Sequence, residues 1–173
     1  MDHTGVLTDA ARRPIAAAEQ VLRGISSETL HALPGGRANS IAWLVWHAAR
    51  QMDAQLAALA GADQVWSTGG WDVRLGVPRG PKAMGFGDTL EDVAGLRVAH
   101  PALLLEYLRA VVETLVDDLA GWSASDLDDV VDTRWDPPVT RGVRLVSIID
   151  DAVAHLGQAA YARGLVEGWR VGY

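Results

Sequence analysis

The stretch that decides the fold is Asn39-Ser40-Ile41-Ala42-Trp43-Leu44-Val45-Trp46-His47. Pro34-Gly35-Gly36 breaks the chain just before it, and Asn39 or Ser40 can accept a hydrogen bond from the open N–H groups of a first helical turn. The helix is expected to run to about Ala60 and stop at Gly61. Ile41, Val45, Ala48, Met52, Leu56 and Leu59 form its stripe. Its first two turns are apolar all round, and a helix end apolar on every side is normally buried on every side. His47 follows directly and is the only ionisable group between Asn39 and Arg50. A buried imidazole needs a partner for each ring nitrogen, which a backbone carbonyl, a carboxylate or a metal ion can supply.

Three further segments carry the same period. The first spans about Asp9 to Ile25, with Ile15, Ala18, Leu22 and Ile25 on one face; Asp9 is a plausible cap, and Pro14 places the regular part near Arg13. The third starts at Pro101 behind His100 and ends at Gly121, with Leu104, Leu108, Val111, Leu115 and Leu119 inward. The fourth runs from about Val143 to Trp169 on Leu145, Ile149, Ala152, Leu156 and Ala159 or Ala160. Residues 61–99 lack sustained periodicity, and Trp135 to Arg144 offers at most an extended stretch containing prolines. Four amphipathic helices with two long connections describe an all-α, four-helix-bundle domain over residues 1–173.

Composition narrows the function. The chain has 173 residues, no cysteine, five histidines and a formal net charge of −7. Disulfides, thiolate metal sites and a protein thiol nucleophile are excluded, so a tight metal site must use imidazole, carboxylate or water. No basic face points to nucleic acid, and no stretch approaches the roughly 18 apolar residues of a membrane span. Met1-Asp2-His3-Thr4 has no basic or apolar leader character, so the cytoplasm is the expected location.

Asp151 and His155 are spaced i, i+4 on the fourth helix, about 40° apart at its edge, with Gln158 on the same edge. Alone they read as a surface pair. With His47 they make a two-histidine, one-carboxylate set between two helices, suited to Zn²⁺, Ni²⁺ or Fe²⁺ with positions left open. His3, His31 and His100 are expected at the surface, and Asp150 points about 100° away from Asp151. Arg74, Arg79 and Lys82 lie on a Gly-rich stretch, residues 73–87, that has no acid and suits an anionic ligand; an ordinary solvated loop has the same composition. Trp66 and Trp71 flank Gly69-Gly70. They either line the mouth of a site or pin the loop to the bundle. Trp43, Trp46 and Trp122 are expected to pack in the core or an interface, and Tyr161 either supplies a hydroxyl near the site or packs.

The stretch 39–47 resembles the second-helix motif of the DinB-like (YfiT-like) metal-binding bundles. His155-Leu156-Gly157-Gln158-Ala159-Ala160-Tyr161-Ala162-Arg163-Gly164 resembles their fourth-helix motif. The resemblance covers nearly the whole chain. It implies an up-down-down-up bundle, frequent homodimers, and a three-ligand site of one histidine on helix two and an H-x-x-x-H pair on helix four. His47 and His155 match; Asp151 stands where many members have histidine, and where mycothiol-dependent maleylpyruvate isomerases use Glu. Those isomerases also carry a second, C-terminal domain, and this chain ends at Tyr173, so isomerase activity is not expected. The wider resemblance is to thiol S-transferases, in which a divalent metal binds mycothiol or bacillithiol. It implies transfer of a small thiol to an electrophilic small molecule. The other readings are a non-catalytic metal- or ligand-binding bundle linked to stress, and a metal-dependent hydrolase.

Overall fold

The computed structural model describes residues 2–172. Four long helices form the bundle: α1 (His3–Leu22), α3 (Ile41–Ala60), α7 (Pro101–Gly121) and α8 (Arg141–Glu167). Short helices fill the connections: α2 (Ser27–His31) after α1, and α4 (Val65–Thr68), α5 (Trp71–Leu75) and α6 (Leu90–Gly95) between α3 and α7. Strands β1 (Val130–Asp132) and β2 (Val139–Thr140) pair antiparallel just before α8. Among the described residues, no helix is long and apolar enough to cross a membrane.

α1 packs against α7 and α8, and α3 packs against the other sides of the same two helices. Contacts between named residues give the directions. Arg12 pairs with Glu113 and Arg109 with Glu19, so α1 and α7 are antiparallel. Gln51 donates to the Ile148 carbonyl, Arg144 to Gln55 and Arg141 to the Leu59 carbonyl, so α3 and α8 are antiparallel. The buried Arg163 of α8 donates to the Val21 and Arg23 carbonyls at the end of α1, which places α1 and α8 side by side in the same sense. The bundle is therefore up-down-down-up, and the long α3–α7 connection exists because two consecutive helices run in the same direction.

α3 and α7 keep their expected bounds. Ser40 caps α3 by accepting from the Trp43 N–H, and Gly61 closes it at φ 66°. α1 begins earlier than expected: Asp2, not Asp9, is the cap, and the helix runs through Pro14 to Leu22. Asp9 instead pairs with Arg13 one turn on, at 2.7 Å. α8 starts at Arg141 on a Thr140 cap and ends at Gly168. Residues 61–99, which lack sustained periodicity, hold three short helices, each too brief to show a period.

His31 is the clearest correction to the surface reading. It is buried, its Nδ1 donates to the Ser27 carbonyl at 2.8 Å, and its Nε2 accepts from the Val98 N–H at 3.0 Å. Burial lowers its pKa. A proton on Nε2 would remove the acceptor for Val98.

A fully buried charge lies where α3 meets the long connection. Arg50 is fully buried. Its guanidinium donates to Asp53 at 3.1 Å, the Tyr107 hydroxyl at 3.0 Å, the Gln64 side chain at 3.0 Å and the Pro81 and Ala83 carbonyls at 2.8 and 3.2 Å. Asp53 also accepts from the Val65 and Trp66 N–H groups and from Tyr107. Burial, then the Asp53 charge, pushes the Tyr107 phenol far up, so it stays a donor.

Two outcomes follow from this arrangement. Asp53→Ala leaves the Arg50 charge buried without its counter-ion and should cost about 3–5 kcal/mol in urea unfolding. Arg13→Ala, at an exposed pair, should cost only about 0.3–0.5 kcal/mol. For His31 the folded pKa lies below the unfolded one, so the unfolded chain binds the extra proton. Stability should fall as pH drops through about 6.5, and His31→Gln should flatten the slope of unfolding free energy between neutral and mildly acidic pH.

Candidate metal centre

His47, Asp151 and His155 come together where α3 and α8 cross. One ligand atom from each lies within 4.8 Å of the others. His155 Nε2 is 3.5 Å from Asp151 Oδ1. Donors bonded at about 2.0–2.1 Å to one tetrahedral ion stand roughly 3.3–3.4 Å apart, so the Asp–His edge already has the right length. The i, i+4 spacing sets the Asp151 carboxylate directly beside the His155 imidazole. All three residues are half-buried, with the Asp151 side chain 43% exposed, so one side of the cluster faces solvent.

Each histidine is held by its other nitrogen. His47 Nδ1 donates to the Met84 carbonyl, which leaves Nε2 as its lone-pair nitrogen. His155 Nδ1 donates to the Gln158 side-chain oxygen at 3.1 Å, which leaves Nε2 toward Asp151. A hydrogen bond at the far nitrogen fixes tautomer and ring orientation in metal-ligating histidines. The two rings meet edge to face at 4.5 Å. The His47 pKa is lowered, mainly by burial and further by the neighbouring His155, while the Met84 bond opposes the shift. The neutral, ligating form of the imidazole is favoured.

Trp43 forms the wall behind His47. Its ring stacks on the imidazole at 4.6 Å and 10°, and its Nε1 donates to Asp88 at 2.7 Å. It belongs to the site as well as to the core. Gly85 makes this possible. Its φ is +96°, and a Cβ there would stand 2.8 Å from the Trp43 ring and 2.9 Å from His47 Nδ1. Only glycine lets the backbone lie this close and offer the Met84 carbonyl to His47.

The other expected binding residues are placed differently. Trp71 is buried against Tyr107, under the Arg74 guanidinium at 3.5 Å; it pins the loop and does not line a mouth. Arg74 pairs with Glu106 at 3.1 Å. Arg79 pairs with Asp88 at 2.5 Å, donates to the Asp92 carbonyl and covers the Trp46 ring. Both arginines are committed to acids outside the stretch 73–87: Asp88 directly follows it and Glu106 lies on α7. Lys82 is exposed and makes no ion pair among the described residues. Tyr161 is exposed, and with Gln158 it borders a separate hollow of about 400 Å³.

The sequence reading missed Met84, Gly85 and Asp88. Met84 acts through a backbone carbonyl, which any residue carries. Gly85 was visible only as one of many glycines in the connection. Arg50 and Asp53 did leave a signal: a charged i, i+3 pair on a helix flanked by Ala49, Met52 and Leu56.

An up-down-down-up helical bundle with two histidines and an acid converging from α3 and α8 defines a class of possible metal-binding bundles. A family model for the DinB superfamily matches residues 10–159, a span that includes all three cluster residues. The chain belongs to the DinB superfamily. A crystal structure of a conserved protein from Enterococcus faecalis is similar, with 36% identity, a TM-score of 0.90, and coverage of 98% of this chain and 99% of that one. No curated protein matches the chain.

If Gln158 orients His155, Gln158→Leu should weaken divalent-metal affinity by about 10–100-fold with little change in unfolding midpoint. Gly85→Ala should weaken it too, by displacing the Met84 carbonyl. Competition against a chromogenic chelator measures both.

Proposed function

We propose that the chain is a divalent-metal-dependent enzyme that transfers a low-molecular-weight thiol, of the mycothiol or bacillithiol kind, to an electrophilic small molecule. The observation that carries this reading is the convergence of His47, Asp151 and His155, with both far nitrogens already satisfied and one side open. The donor set fits a divalent cation: two neutral imidazoles and one carboxylate leave a net positive centre with room for a further ligand. Such a cation would supply a lowered thiol pKa at neutral pH.

The chain's own residues do the rest. Met84 and Gln158 hold the imidazoles in their ligating tautomers. Asp151 contributes the single negative charge. Trp43 closes the inner side against water. With no cysteine anywhere in the chain, the reacting sulfur must arrive on a diffusible thiol. The S–H bond breaks and an S–C bond forms: on an acceptor that takes addition the proton ends on the neighbouring atom of the opened double bond, and on one that takes substitution the proton and the displaced anion both leave to solvent.

Untagged protein should hold about one divalent ion per chain, the number one three-ligand site accommodates, by elemental analysis. His47→Ala and His155→Ala should remove it. The loaded protein should then conjugate mycothiol or bacillithiol to a generic electrophile faster than free metal does. Metal uptake without thiol turnover would favour a binding protein, and ester or amide cleavage in its place would favour a hydrolase. Retention of stoichiometric metal in both alanine variants would remove the site.

A further inference from the structure

A cavity of about 540 Å³ opens between the groove of α3 and α8 and the β1–β2 hairpin. Ala58, Leu59 and Met84 give it an apolar wall. Asp132, Arg134 and Arg144 give it a polar one. The Asp132 carboxylate stands between the two guanidiniums, 2.8 Å from Arg134 Nη2 and 3.0 Å from Arg144 Nη2. Arg144 is also held by Gln55 at 3.1 Å. The Arg134 side chain is 84% exposed. One carboxylate against two guanidiniums leaves a net positive charge at the rim. The Arg134 hydrogen bonds hold the Asp132 carboxyl well below the usual carboxylate range, so the acid does not neutralise itself.

The cavity and the metal centre share one groove. His47 and Ala54 are seven residues apart on α3, and Asp151 and Arg144 are seven apart on α8. Seven residues are two helical turns, which return a side chain to the same face after about 10 Å of rise. Because α3 and α8 are antiparallel, both steps lead the same way. Met84 joins the two ends: its carbonyl accepts from His47, and the residue lines the cavity.

We infer that this cavity is the acceptor subsite, and that it takes the anionic end of an elongated substrate: an apolar molecule with a carboxylate about 10 Å from its electrophilic carbon. The identification of the cavity's ligand as the acceptor rests on the thiol-transfer reading; the carboxylate preference of the cavity does not. Arg134 holds Asp132 through Nε at 2.9 Å and Nη2 at 2.8 Å and turns its Nη1 side to the ligand, and Arg144 fixes the position of the shared Asp132. The apolar wall takes the body of the molecule.

The test is titration calorimetry on the full chain with ω-phenylhexanoate and its primary amide, each in EDTA and with zinc. The acid should bind at least about tenfold more tightly than the amide, the worth of one charge-assisted hydrogen bond. That preference should persist in EDTA and should fall to near unity in Arg134→Gln, whose side chain is exposed and whose loss does not open the core. Equal or absent binding of acid and amide would overturn the subsite. So would an unchanged preference in Arg134→Gln. A preference seen only with zinc would place the carboxylate on the metal and also overturn it. Failure of the metal reading alone would leave the EDTA result standing.

Discussion

The loop that orients His47 depends on one buried charge, the guanidinium of Arg50. A charge taken out of water is tolerated only when it is paired and its donors are satisfied. Here Asp53, Tyr107, Gln64 and two backbone carbonyls meet that demand. Arg50 cannot stay buried unless the Pro81–Ala83 backbone comes to it. The ion pair contributes modest net stability compared with an apolar core, but it specifies where the long connection runs.

The next two residues use that placement. Met84 turns its carbonyl to His47, and Gly85 passes against the Trp43–His47 stack where no side chain fits. Asp88 then closes the segment on Trp43 Nε1 and Arg79. The site thus has two kinds of support. His155 is oriented from within its own helix by Gln158, three residues on. His47 is oriented from 37 residues away, by a loop that Arg50 anchors. The second kind demands a long connection, and the up-down-down-up order of the helices provides one.

Much of this was legible in the sequence because it depends on local spacing. The apolar stripes gave α3 and α7 their bounds, and the i, i+4 spacing put Asp151 beside His155. What depended on distant partners was not legible. His31 is buried because Val98 donates to it across 67 residues. For Trp71 the sequence left two readings open, and Tyr107 of α7, packed against its ring, decides for the one that pins the loop. Arg74 and Arg79 appeared free because their acids, Glu106 and Asp88, fall outside the acid-free stretch. α1 was begun late because Pro14 reads as a helix start, although a proline whose neighbouring turns are well packed can sit inside one.

The absence of cysteine gives the most direct test of the central claim, since the chain has no sulfur ligand of its own beyond thioethers. Cobalt-substituted protein should show ligand-field bands of a low-coordinate nitrogen and oxygen site. Adding mycothiol or bacillithiol should bring up a near-ultraviolet sulfur-to-cobalt charge-transfer band, and His155→Ala should abolish it. A cobalt spectrum indifferent to thiol, or a band of equal strength in His155→Ala, would contradict the account.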